Sequence, residues 1–247
     1  PGGAMASSLG HLVGDAATIA ADRGLFLETS RRLHPDINAF ISPAFYAGRL
    51  ETHQDTALRS VGGDDLVLSG AGVRWVPVEH VGNGPRSREE ADIVASAVES
   101  LTRMTLIDVD GKPRRIKLDD VIVVAPYNAQ VAEIQAALER RIGQRGNVGT
   151  VDKFQGREGV VAIYSMASSS RDDAPRDMSF LYSRNRLDVA ISRAQCVALL
   201  VASPALLEAG CRTPEQMRMV DAMCRFVEIA TVQATETSHA LDGEPRA

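Results

Sequence analysis

No stretch of this 247-residue chain approaches the roughly 20 consecutive apolar residues that a membrane-spanning helix requires. The opening PGGAMASSLGHLVG carries neither a basic n-region nor a long apolar h-region, so no export signal is expected there. Cysteine is sparse. Cys196, Cys211 and Cys224 are odd in number and too widely spaced for a C-x-x-C metal site or a small disulfide scaffold. A reducing, cytoplasmic setting is therefore expected, with no metal ligand set on the chain. Positive charge is also short: at a net charge of −5 the chain cannot coat nucleic acid by bulk attraction. Any strand would have to lie in a local groove, and the basic clusters Lys112 to Lys117 and Arg140 to Arg145 read equally well as solvated loops and helix ends. The most informative absence is a phosphate loop. Neither G-x-x-x-x-G-K-[ST] nor G-x-G-x-x-G occurs, and Gly111-Lys112 is followed by Pro113 in an expected hairpin turn. The chain cannot by itself wrap a triphosphate in backbone N–H groups, and the lack of G-x-G-x-x-G leaves a self-sufficient small-molecule enzyme on a Rossmann-like sheet with little support.

An apolar content of 45% is enough for a substantial core. The runs Val121 to Ala125 (VIVVA), Val160 to Met166 (VVAIYSM) and Val197 to Ala202 (VALLVA) are too apolar for strands with one wet face and suit parallel strands covered on both sides. Val73 to Val78 reads as a further strand, and Asn147 to Val151 as a short one. Helical spacing fills the intervals, with Val94, Ala97, Val98, Leu101 and Met104 on one face, then Val131, Ile134 and Leu138, then Met217, Val220, Met223, Cys224 and Val227. Strand alternating with helix predicts an α/β fold with a mainly parallel, doubly wound sheet. Asp55 to Gly72 reads as a loop, as does Ser168 to Asp177, and the polar residues after Gln233 read as a fraying tail.

Three segments carry the chemistry. Residues 149–159 (GTVDKFQGREG) read as a strand end breaking into a polar turn that brings Gln155, Gly156 and Glu158 together, at the carboxyl edge of the sheet where ligands bind. Residues 185–194 (NRLDVAISRA) put Arg193 at the end of a short helix just before a buried strand. Residues 31–35 (RRLHP) lead into a helix that Pro35 starts well. Read singly, Arg193 and Arg32 are ordinary surface cations, Glu158 a solvated carboxylate, His34 a helix cap and Tyr127 a residue packed at the sheet edge. Trp75, Tyr46 and Phe45 read better as core or interface than as base-stacking platforms.

Taken together and in order, these segments resemble motifs of superfamily-1B helicases, the group of Upf-like and Dna2-like proteins. The resemblance extends to FISPAFYAGRL (Phe40 to Leu50), VAPYNAQV (Val124 to Val131) and SREEADIV (Ser87 to Val94), and so covers about residues 23 to 205. It is nearest to bacterial helicases fused to a RecB-like nuclease, through LYSRNRL and CRTPEQM. It implies a RecA-like C-terminal motor domain over residues 23–232 that lacks its own phosphate loop. Residues 1–22 would then be a remnant of the preceding region and residues 233–247 a polar tail. Arg32 and Arg193 would point across an interdomain cleft at the γ-phosphate of ATP. That ATP, with Mg2+, would be held mainly by a first RecA-like domain in cis. Gly156 and Glu158 would contact phosphate and ribose, with Gln155 linking the nucleotide cleft to the nucleic-acid path. Thr150, Tyr127, Asn128 and Gln130 would touch single-stranded DNA. Two positions depart from the pattern: Arg31 stands where an aromatic stacks on the adenine, and Asp188 where an Asn is usual. The alternative is a degenerate, non-hydrolysing scaffold that binds nucleic acid or protein; two retained γ-phosphate arginines speak against it.

Overall fold

A computed structural model describes residues 18–20, 22–154 and 156–242. Along the chain it forms β1 (Thr29–Ser30), α1 (Pro35–Phe45), β2 (Glu51–Thr52), β3 (Ser60–Gly62), β4 (Gly72–Pro77), α2 (Arg88–Arg103), β5 (Thr105–Ile107) and β6 (Pro113–Arg115). There follow β7 (Val121–Val124), α3 (Asn128–Ile142), β8 (Asn147–Gly149), β9 (Gly159–Ser165), α4 (Met178–Leu181), α5 (Arg184–Ile191), β10 (Ala194–Ala202) and α6 (Pro214–Asp242). The central sheet has the order β4-β10-β9-β7-β8, and every pairing in it is parallel.

The apolar runs explain that arrangement. Every residue of β7 and β9 is buried, so neither strand has a wet face. Alternate side chains feed two cores. Ile122, Val124, Ala162, Tyr164, Ala198 and Leu200 pack with α1, α5 and α6, while Val121, Val123, Val161, Ile163, Leu199 and Val201 pack with α2 and α3. The period of two along each strand thus divides one sheet between two helical layers, the arrangement of a RecA-like domain. Local signals set the helix limits: Ser87 caps α2 by accepting from Glu90 N, Pro35 opens α1, and Gly143 closes α3 in the left-handed region at φ 71°.

The sheet has two rims. At the amino edge Gly159 and Ala194 open β9 and β10 side by side, and at the carboxyl edge Ser165 lies beside Val201. From β7 the chain moves outward to β8 and then returns to β9 on the other side, so the order reverses between β7 and β9.

Two segments differ from the sequence expectation. Residues 55–72 are more than a loop: β3 lies in an antiparallel sheet with β5 and β6, and the buried Arg74 binds the carbonyls of Val67, Ser69 and Val73. One guanidinium from β4 thereby holds the carbonyls of the segment that leads into that strand. α6 runs beyond Gln233 to Asp242, and the Gln233 side chain accepts from Val73 N at 2.8 Å and donates to Asp36 O at 3.0 Å. Gly111-Lys112 does form the turn between β5 and β6. Among the described residues no helix is long and apolar enough to cross a membrane.

Candidate functional site

Pairing of β9 with β10 brings Glu158 and Arg193 to the same rim, since each immediately precedes its strand and Gly159 N donates to Arg193 O at 3.0 Å. The RRLHP segment is pinned to that rim by His34 N donating to Gln195 O at 3.1 Å. Ser30 Oγ holds its loop by accepting from Arg32 N and Leu33 N, and His34 Nδ1 caps α1 by accepting from Asp36 N at 3.1 Å. His34 therefore has a structural task, and burial lowers its pKa, as a neutral acceptor requires.

Arg32 and Arg193 consequently share one anchor, although 161 positions separate them. Arg32 Nη1 donates to Ser192 O at 3.1 Å, and Arg193 Nη2 donates to Ser192 Oγ at 3.1 Å. Arg32 Nε also meets Glu158 Oε2 at 2.6 Å, while Gln195 donates to Glu158 Oε1 at 2.8 Å. Arg193 is further steadied by the carbonyls of Val189 and Arg157. Both guanidiniums retain unspent N–H donors. They line a pocket of about 520 Å³ with Phe26, Arg31, Tyr46 and Glu158.

The charges in this pocket perturb one another. Burial pushes the Arg193 guanidinium below its ordinary value, and the neighbouring Arg32 charge adds to that; Asp188, Tyr46 and Glu158 oppose it. Burial would raise the Glu158 carboxyl, but the hydrogen bonds from Arg32 and Gln195 prevail and hold it below the usual range. Asp188 shows the opposite balance. Its Oδ2 accepts from the Tyr46 hydroxyl at 3.2 Å, but its Oδ1 is buried with no hydrogen-bond partner, and burial lifts its pKa to about 6. Burial and the Asp188 charge together push Tyr46 up to about 12. Two like charges held together with donors to spare can take up a group with several anionic oxygens.

The residues expected to act together are divided between the two rims. Thr150 follows β8 at the carboxyl edge, whereas Glu158 stands at the amino edge. The expectation that residues 149–159 gather at the carboxyl edge is corrected accordingly: a parallel connection must return the chain to the opposite rim before β9 can start. Within that connection Gly156 is exposed at φ 77°, a conformation that favours glycine. Gln155 lies outside the described residues. Arg31 is exposed at the pocket mouth. At the carboxyl edge Asn128 is exposed at the start of α3, and Tyr127 is buried with its ring stacked on Phe180 at 5.5 Å.

Gln130 is removed from the contact set. It is fully buried, accepts from Ser87 N at 2.7 Å, and donates to Ser87 O at 3.1 Å and Ser165 Oγ at 2.9 Å. An amide satisfied on both ends inside the protein ties α3 to α2 and β9, and leaves nothing for a strand outside. Glu90 and His80 complete this buried network, with Glu90 also accepting from Ser165 Oγ at 2.6 Å.

A family model described as an AAA domain matches residues 11–205, well over half the chain. The chain belongs to the AAA domain family. This AAA domain is 32% identical over 223 residues to the human 3'-5' exoribonuclease HELZ2, covering 76% of the chain and 7% of that protein. It is 28% identical over 192 residues to the regulator of nonsense transcripts 1 homolog of Drosophila melanogaster, covering 73% and 15%. Over 78 residues it is 42% identical to the DNA polymerase alpha-associated DNA helicase A of Schizosaccharomyces pombe, covering 32% and 11%. The chain therefore spans a small part of each of these relatives. Among solved structures, the C-terminal domain of a possible DNA helicase from Lactobacillus plantarum aligns over 77% of this chain and 94% of its own, at TM-score 0.42 and 16% identity.

Sequence reasoning on this AAA domain missed Ser192 as the shared anchor, Gln195 as a Glu158 partner, and Arg59, which donates to the Arg31 and Arg32 carbonyls. Ser192 and Gln195 flank Arg193, so proximity was the available signal for them. Arg59 lies 27 residues from Arg32 with no spacing that announces the contact.

Proposed function

We propose that this AAA domain is the C-terminal motor domain of an ATP-dependent superfamily-1 helicase that translocates along single-stranded DNA. The observation that carries the reading is the joint anchoring of Arg32 and Arg193 on Ser192, with donors left over. A scaffold has no use for two like-charged side chains stored together, half-buried, in an open pocket. Relatives named as a DNA helicase and as a regulator of nonsense transcripts support the same class.

The residues present suit only one end of a nucleotide. There is no phosphate loop, and among the described residues no group of three or more His, Cys, Asp or Glu could hold a metal ion. ATP with Mg2+, held mainly by a first RecA-like domain in cis, would supply the phosphoanhydride. Arg32 and Arg193 then meet the γ-phosphoryl oxygens from across the cleft, where a planar guanidinium stabilises the charge that builds as the bond breaks. Glu158 keeps Arg32 extended along the rim until that charge arrives.

In the two-domain protein, Arg193→Ala should lower kcat by ~10³ or more at saturating single-stranded DNA, with little change in ATP dissociation constant. Lysine there should rescue poorly, because an ammonium lacks the planar fork. Normal turnover in a well-folded Arg193→Ala protein would sink the proposal.

A further inference from the structure

The carboxyl edge holds a second pair of guanidiniums. Arg176 Cζ and Arg186 Cζ each lie 4.2 Å from the centroid of the Phe180 ring, so the two cations are no more than twice that distance apart. Phe180 in turn stacks on Tyr127 at 5.5 Å and 25°. The cluster thus joins the loop after β9, the start of α5 and the end of β7.

Among the described residues, most arginines whose heads meet another side chain meet a carboxylate, as Arg32, Arg103, Arg114, Arg140, Arg141 and Arg145 do. Among the described residues the side chains of Arg176 and Arg186 make no ion pair and no hydrogen bond; the Phe180 ring is what holds them. Two carboxylates close to Arg176 in sequence are otherwise engaged, and Asp188, two residues from Arg186, accepts from the Tyr46 hydroxyl. Asp177 accepts from Ser179 Oγ and Phe180 N to cap α4, and Asp173 accepts from Ser170 Oγ. A ring's negative face steadies a cation but does not use its N–H groups. Two forks are therefore left over on one ring, close enough together for neighbouring phosphates of one strand to meet both.

We propose that Arg176 and Arg186, positioned by Phe180, form a phosphodiester clamp for single-stranded nucleic acid. This rests on the helicase reading and extends it to residues that reading does not assign. The clamp shares its rim with Thr150 and with the exposed Asn128 at the start of α3, so the strand would pass along the carboxyl edge. Such a local pair also answers the net charge of −5, which leaves no bulk attraction for nucleic acid. α5 links one member of each arginine pair: Arg186 stands in its first turn, Arg193 lies two residues past its end, and its eight residues span about 12 Å along the axis. A strand gripped at one rim is thereby joined by a rigid rod to the anion site at the other.

The test is fluorescence anisotropy of labelled oligo(dT) with the full chain, from about 25 to about 200 mM salt. Arg176→Ala/Arg186→Ala should weaken binding at least tenfold at low salt. It should also reduce the slope of log K against log salt by ~1.4, two phosphates at ~0.7 each. Phe180→Leu keeps both charges but frees them, so affinity should fall several-fold with the slope nearly kept. Lys112→Ala/Lys117→Ala, on the exposed β5–β6 hairpin, should change neither. Arg176 is exposed, so Arg176→Ala alone should remove half the slope change if the double variant melts early. Wild-type affinity and slope in a folded double variant would overturn the clamp while leaving the helicase reading intact. Wild-type chain that binds no strand at any salt would overturn both. Tighter binding of poly-glutamate than of oligo(dT) would overturn the clamp in favour of an acidic peptide partner.

Discussion

Asp188 gives the sharpest stability prediction, because its environment works against its charge. It accepts one hydrogen bond from Tyr46, its second oxygen is buried without a partner, and burial outweighs both that bond and the Arg193 charge to raise its pKa to about 6. In the unfolded chain an aspartate titrates near ~4. A carboxyl whose folded pKa is raised contributes stability fully below the unfolded value and loses it as pH rises through the folded value. From pH ~4 to above 6 the folded state therefore loses up to about 3 kcal/mol at this one residue, roughly two pKa units at 1.36 kcal/mol each. Asp188→Asn preserves the shape and the acceptor for Tyr46 but removes the titration. Its amide brings N–H donors to the place of the unpartnered oxygen, at a cost of about 1 kcal/mol. The net gain at pH 8 should be about 1–2 kcal/mol, or several degrees in Tm for a domain of this size at ~2–4 °C per kcal/mol. The gain should shrink steadily towards pH 5, where the wild-type carboxyl is neutral. Thermal melts of both proteins at pH 5, 6, 7 and 8 measure it. A variant no more stable than wild type at pH 8, or a Tm difference flat in pH, would refute the reasoning.

The purified chain, lacking a phosphate loop, should hydrolyse no ATP above background even with single-stranded DNA; magnesium-dependent turnover that persists through repurification would contradict the half-motor reading. Phe226 of α6 is fully buried and meets Phe40 of α1 edge-on at 5.1 Å, so Phe226→Ala should cost about 3–5 kcal/mol in chemical denaturation. A loss under 1 kcal/mol would mean that α6 is not packed as described.

Some of this protein was decided by the sequence alone. The β-branched runs of β7, β9 and β10, buried on both faces, required a parallel sheet between helical layers, and the missing phosphate loop left a self-sufficient enzyme with little support. Pro35 marked a helix start through a backbone dihedral fixed within its own residue. Such features are legible because their causes are local: burial period, caps and turn conformations act within a turn or two of the chain. The tertiary structure decided which polar side chains face water. Gln130 looks like a surface contact in VAPYNAQV, and it is interior because Ser87 and Ser165, 43 and 35 residues away, close around its amide. Glu158 belongs to the opposite rim from Thr150 because β9 must run parallel to β8, and Arg32 reaches Arg193 only once His34 bonds to Gln195 beside the first residue of β10. No spacing in the chain encodes these meetings. They arise when strands distant in sequence pair in register, and that pairing brings two arginines to each rim of one sheet.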